Sequence, residues 1–280
     1  LLPAVAQETG LEQVPVVAPA CHDTAAAVAG VPTRERDYLF LSCGTWSVLG
    51  TEIDEPHIDP QGPPEGLWNE AGARDNIRFS SNVTGLWLVQ ECQRAWASQG
   101  ETYSFDALTH TAARGRALKS LIDPNDIGFI GTGDMPRRIK RFCEETNQPV
   151  PQTKGDVLRC ILDSLALRYR RDAEAIEAAL GRDMKVIHMI GGGVKNKLLC
   201  QLTANATGLP VLAGPVEATA TGNIIMQAVG LGHLSSVQEG RELIRASVQL
   251  DTYEQDAAVV ERWEEAYHRF LRLLAIRYPT

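Results

Sequence analysis

Three stretches of this chain carry residue types suited to alcohol and phosphate chemistry: Asp23 in HDTAAAVAGVP, Thr45 in SCGTWS, and Gly191, Gly192 and Gly193 followed by Asn196. A carboxylate at a strand-to-helix junction can face a cleft and act as a general base, although an acidic residue there also serves as a helix cap. A glycine and a hydroxyl residue in a hairpin turn can hold phosphate oxygens through backbone amides and Oγ1, or can simply make the turn. Glycines between an apolar strand and a helix leave free amides and the helix dipole facing a nucleotide, or permit close strand–helix packing. The spacing at 191–196 fits neither common phosphate loop: no Gly-Lys-Ser/Thr follows, and Asn196 stands where a dinucleotide fingerprint needs its third glycine. Asn82 and Gln90, eight positions apart, are either surface amides or two linings of one cleft, about 12 Å apart along a helix axis.

These residues need elements to position them. Ala25 to Val28 begin a helix with Asp23 or Thr24 in its cap, stopped by Gly30 and Pro32. YLFLSCGTWSVLGTEID reads as two apolar strands hinged at 42–45, and residues 54–66 as an acidic, Pro-rich surface loop containing an ordinary exposed histidine, His57. Asn82 then caps an amphipathic helix carrying Leu86, Val89 and Ala95. A helix from Ser104 to Arg116 and the loop DPNDIGFIGTGDMP follow. Leu158, Leu162, Leu165, Tyr169, Ile176 and Leu180 predict a long helix from Asp156, stopped by Gly181, with Arg168, Arg170 and Arg171 on its solvated face. Residues 185–190 form a buried strand, Leu198, Leu199 and Leu202 the next helix, and 211–214 a short strand. Glu217 to Leu231 make a helix that Gly222 and Asn223 weaken, marking close approach to a neighbour or ligand, and a long helix at 256–278 ends the chain.

The chain has 280 residues, 44% of them hydrophobic, enough for a full core in one large α/β domain or two smaller ones. A net charge of −8 gives no footprint for nucleic acid or an anionic membrane, so any anionic ligand must be drawn by a local site. No apolar run reaches the roughly 18 residues of a membrane span, and no signal-peptide pattern opens the chain. The six cysteines have no zinc spacing and read as reduced thiols of a cytoplasmic protein. The start without Met suggests a fragment, a processed chain or one domain of something longer.

A hairpin with Gly-Thr in its turn, then helices, then a strand-glycine-helix unit follow the order of an actin-like, RNase H-like ATPase domain. The chain resembles the C-terminal half of an FGGY-family carbohydrate kinase, nearest its rhamnulokinase subfamily. The resemblance rests on Cys21-His22-Asp23-Thr24-Ala25, Ser42 to Ser47, Asn82 with Gly85 to Cys92, Asp163 to Leu167, Gly191 to Gly193 with Asn196, and Gly214 to Ala218 with Gly222-Asn223. It runs from about residue 14 to residue 235.

It implies ATP-dependent phosphorylation of the primary hydroxyl of L-rhamnulose, or of another ketose such as L-fuculose; a truncated, non-catalytic nucleotide module is the alternative. By resemblance Asp23 is the proton acceptor, and His22, Asp23, Thr24 and Asn82 contact the sugar. Thr45, Gln90, Gly192 and Asn196 contact ATP, and Mg²⁺ accompanies its phosphates with no dedicated protein ligands expected. Residues 1–19 would end a preceding domain or linker, and 20–280 would be the C-terminal domain. Its partner would be an N-terminal kinase domain, without which the cleft stays open and turnover is slow or absent. Cys143 and Cys160 match a cysteine pair of the family, so a bond between them is implied; Cys21 replaces a smaller residue, and Thr203 and Thr207 replace another cysteine pair.

Overall fold

The computed structural model describes residues 1–11, 14–59 and 66–277. In chain order the helices are α1 (Pro3–Thr9), α2 (Asp23–Ala29), α3 (Trp87–Ala97), α4 (Phe105–Ala113), α5 (Met135–Glu145), α6 (Lys154–Leu180), α7 (Lys197–Thr207), α8 (Ala218–Gly230), α9 (Val237–Ser247) and α10 (Val260–Arg277). The strands are β1 (Tyr38–Cys43), β2 (Ser47–Ile53), β3 (Trp68–Ala71), β4 (Ile77–Val83), β5 (Val186–Ile190), β6 (Val211–Ala213) and β7 (Asp251–Tyr253). Among the described residues they form one sheet in the order β3-β4-β2-β1-β5-β6-β7. β1, β5 and β6 run parallel, and the remaining pairs are antiparallel.

Side-chain alternation places a core on each face of this sheet. Leu39, Leu41 and Cys43 of β1 join Ile187 and Met189 of β5 in the larger core, packed with α6, α7 and α10. Tyr38 and Phe40 join Val186, Ile190, Val28 and Ala218 in the smaller core beneath α2 and α8. The result is an α/β/α sandwich whose central strands are apolar on both sides.

α6 begins with a capping box, Thr153 Oγ1 accepting from the Asp156 amide while Asp156 accepts from the Thr153 amide, and ends at Gly181 with φ 63°. Its arginines are not a solvated face. Arg168 is 8% exposed and paired with Asp172 at 3.0 Å and Asp123 at 3.3 Å, because α6 is enclosed by the sheet and the 118–126 segment. Arg170 binds Glu174 and Glu264 and lies over the Tyr267 ring, joining α6 to α10.

Asn82 does not cap a helix: it lies on β4 opposite Val48, and α3 starts at Trp87 with Leu86 in the cap position. The axial spacing argument for Asn82 and Gln90 fails with it. The cap of α2 is His22, whose Nδ1 accepts from the Thr24 amide at 3.2 Å, and Asp23 is the first helical residue. Residues 60–65 of the acidic loop and residue 278 of the last helix lie outside the described residues. β3, β4, α1, α5, α9 and β7 had no counterpart in the sequence reading, and α5 begins at Met135, inside the expected loop. Cys143 and Cys160 are both buried free thiols and form no disulfide, and the neighbouring Cys143 thiol together with burial pushes the Cys160 thiol well up.

Candidate nucleotide site

Parallel pairing of β1 with β5 sets Ser42 beside Ile190, so the two chains leave the sheet side by side at one edge. β1 runs into the Gly44–Trp46 turn and β5 into Gly191. The C-terminal edge of parallel strands is where α/β sheets place ligands, since helix N-termini and loops converge there.

The glycine turn rests on Cys43. A Cβ at Gly193 would lie 2.2 Å from Cys43 Sγ, and one at Gly191, where φ is 86°, would lie 3.0 Å from Cys43 O. Close packing therefore requires these two glycines. Gly192 differs: a Cβ there meets nothing within 4 Å, and its backbone borders open space. Cys43 itself is fully enclosed, and burial pushes its thiol up to about 11, so it stays neutral beneath both turns.

The hairpin turn is tied to α3. The Leu86 and Trp87 amides donate to Gly44 O and Thr45 O at 3.1 and 2.8 Å, satisfying donors at the helix entrance. Gln90, one turn later, donates from Nε2 to Thr45 Oγ1 at 3.1 Å. The Gly44 amide is used by Trp46 O at 2.9 Å, which leaves the Thr45 side chain as the turn's outward polar group.

Across this edge lies a cavity of about 390 Å³. Thr45 of the hairpin turn, Gln90 of α3, and Gly192 and Asn196 at the two ends of the glycine turn all line it. Asn196 is also the cap of α7, its Oδ1 accepting from the Leu199 amide at 3.0 Å. Leu86, Val89, Leu158 and Leu162 make an apolar floor, and Phe105, Asp106 and Thr109 of α4 make the opposite wall. A cavity with an apolar floor and a few polar groups at one rim suits a flat base joined to a polar chain. The sequence reading missed the α4 wall and Lys195, another lining residue. The only signal was Phe105, an aromatic at the exposed start of an otherwise ordinary helix.

His22, Asp23, Thr24 and Asn82 do not line this cavity. The first three cluster at the start of α2, where Asp23 Oδ1 accepts from the Thr24 amide at 2.6 Å and from Thr24 Oγ1 at 3.3 Å. The Asp23 side chain is 80% exposed. Asn82 is exposed at the end of β4, and its carbonyl accepts from Asn125 Nδ2 at 2.9 Å.

The family model described as "FGGY family of carbohydrate kinases, C-terminal domain" matches residues 39–231. The chain is 44% identical over 263 residues to a rhamnulokinase of Bacteroides thetaiotaomicron, covering 94% of this chain and 53% of that protein. It is 38% identical over 253 residues to a rhamnulokinase of Oceanobacillus iheyensis, covering 90% and 53%. The chain thus spans about half the length of the curated relatives it matches. Among solved structures, it superposes on a xylulose kinase from Rhodospirillum rubrum with TM-score 0.70 at 19% identity, covering 100% of this chain and 55% of that one. A Plasmodium falciparum glycerol kinase solved with ADP matches with TM-score 0.61 at 12% identity, covering 89% and 49%. The shared fold is the actin-like ATPase fold of sugar kinases.

Proposed function

Because this chain belongs to the FGGY family of carbohydrate kinases, as its C-terminal domain, we propose that it is the nucleotide-binding half of a kinase that phosphorylates L-rhamnulose with ATP. The observation that carries the reading is the convergence of Thr45, Gln90, Gly192 and Asn196 on one cavity. The choice of sugar rests on the rhamnulokinases that are 38–44% identical to it. Residues 20–280 form the domain in this reading, and 1–19 end a preceding domain or linker. α1 fits that role, with Ala6 as its one buried residue among those described. The partner is an N-terminal kinase domain that closes the cleft. No described helix is long and apolar enough to cross a membrane, and we assign the kinase to the cytoplasm.

Adenosine lies on Gly192 where no Cβ projects, Asn196 borders the base, and Thr45 Oγ1 and Gln90 face the phosphates. Asp23 stands free in solvent with Oδ1 held by Thr24, which fixes the carboxylate's direction. His22, Thr24 and Asn82 complete the sugar contacts. Asp23 takes the proton from the primary hydroxyl as that oxygen bonds to the γ-phosphorus; the bond from phosphorus to the bridging oxygen breaks and ADP leaves. The products are L-rhamnulose 1-phosphate and ADP. Mg²⁺ would neutralise phosphate charge, and it arrives with the nucleotide, since phosphate oxygens and water are its usual ligands.

A ketose panel tests the reading on the two-domain enzyme that contains this chain. ADP release should depend on L-rhamnulose and vanish in Asp23→Asn. Preference for L-fuculose or another ketose would change the substrate, and release that ignores every sugar would reject the kinase.

A further inference from the structure

Resting on the reading of the cavity as a nucleotide site, we propose that Lys195 is the residue that holds the charge of the nucleotide's phosphates. Nothing in the resemblance gives this residue a role. Among the described residues that line the cavity, Lys195 is the one cation and Asp106 the one carboxylate. Lys195 is exposed on the short turn Gly192–Lys195, and among the described residues no carboxylate pairs with it. Its neighbour Lys197 differs, being 3.6 Å from Asp251. The chain carries −8 overall, so a polyphosphate must be drawn against the field of the whole domain by a local charge. The other polar groups at the rim, Thr45, Gln90 and Asn196, are neutral. A free ammonium beside them supplies charge-assisted hydrogen bonds that neutral donors do not.

The two charges also set direction. Asp106 on the α4 wall repels phosphate and can accept from ribose hydroxyls or a purine amine, while Lys195 on the turn attracts phosphate. With the base between Gly192 and Asn196, the sugar turns toward Asp106 and the phosphates run toward Thr45 and the Lys195 ammonium.

A ligand ladder separates charge from shape. The chain and its Lys195→Gln and Lys195→Arg variants are titrated with adenosine, ADP and ATP, followed by NMR. Lys195→Gln should weaken ADP and ATP about fivefold and leave adenosine within about twofold, with Lys195→Arg restoring the loss, as for an exposed ion pair. The salt dependence of ATP binding should become shallower in Lys195→Gln. Equal weakening of adenosine and ATP, or unchanged ATP binding, overturns the role of Lys195 and leaves the nucleotide site standing. Failure of the unaltered chain to bind all three overturns the site as well.

Discussion

Gln90 Nε2 donates to Thr45 Oγ1 at 3.1 Å, joining a residue on α3 to one in the β1–β2 turn. The direction of this bond matters. A hydroxyl that accepts from an amide keeps its own proton for another partner, which in the proposed function is a phosphate oxygen. Gln90→Met removes the donor but keeps the length of the side chain. Gln90→Glu instead accepts the Thr45 proton and adds negative charge. ADP affinity should fall a few-fold in Gln90→Met and roughly tenfold or more in Gln90→Glu, by the usual worth of neutral and charged hydrogen bonds. Calorimetric titration of both variants checks the order.

The helix that presents Asp23 depends on a glycine far along the chain. A Cβ at Gly222 of α8 would lie 1.8 Å from Ala26 O of α2, so these backbones touch. Gly222→Ala must push α2 away, at about 1–3 kcal/mol of stability by the cost of overpacking. Thermal unfolding should show a loss of several degrees. ADP affinity should hold, because the cavity is lined by other elements.

Arg168 is central to a buried charge cluster. Asp172 accepts from its guanidinium and from Ser81 Oγ at 2.7 Å, so α6 is bonded to β4 through this carboxylate. Arg168→Met leaves Asp172 and Asp123 buried with fewer cations, at roughly 3–5 kcal/mol. Urea unfolding measures the loss, and adding Asp172→Leu should recover part of it.

His188 gives the fold a pH dependence. It is 1% exposed on β5 against the Tyr38 ring, its Nδ1 has no hydrogen-bond partner, and burial followed by the charges of Arg245 and Arg241 lowers its pKa from 6.5 to about 4. The folded value lies below the unfolded one, so the unfolded chain binds the proton first. The contribution of the neutral ring is fully present above pH 6.5 and is lost as pH falls from 6.5 toward 4, a change of roughly 3 kcal/mol. Unfolding free energies at pH 7 and 4.5 should diverge in the wild type and converge by that amount in His188→Leu.

The sequence made the central elements legible because their patterns were unambiguous. Apolar residues at 186–190 and Gly191 to Gly193 marked β5 and its turn, and the repeat from Leu158 to Leu180 marked α6. Gly222 was read as a point of close approach, and Ala26 is what it approaches. Other parts were hidden for physical reasons. β3 is short and polar, with Trp68 exposed, so period-two alternation had little to show. β4 carries Ser80, Ser81 and Asn82, which suggested a helix entrance although two of those side chains are buried in the sheet. Arg168 looked solvated because Asp172, four residues on, reads as an ordinary surface pair on a helix, whereas Asp123 and the sheet that enclose it are remote in the chain. Within the site, Thr45, Gln90, Gly192 and Asn196 were found through family resemblance, whereas Lys195 and the α4 wall emerged only from the shape of the cavity.

The most direct test of the nucleotide site is an ADP titration of the isotopically labelled chain, followed by its backbone amide signals. The account predicts shifts at Gly44, Thr45, Gly192, Gly193 and Asn196, which come from two turns brought together by the pairing of β1 with β5. Shifts confined to other surfaces, or none at millimolar ADP, would contradict it.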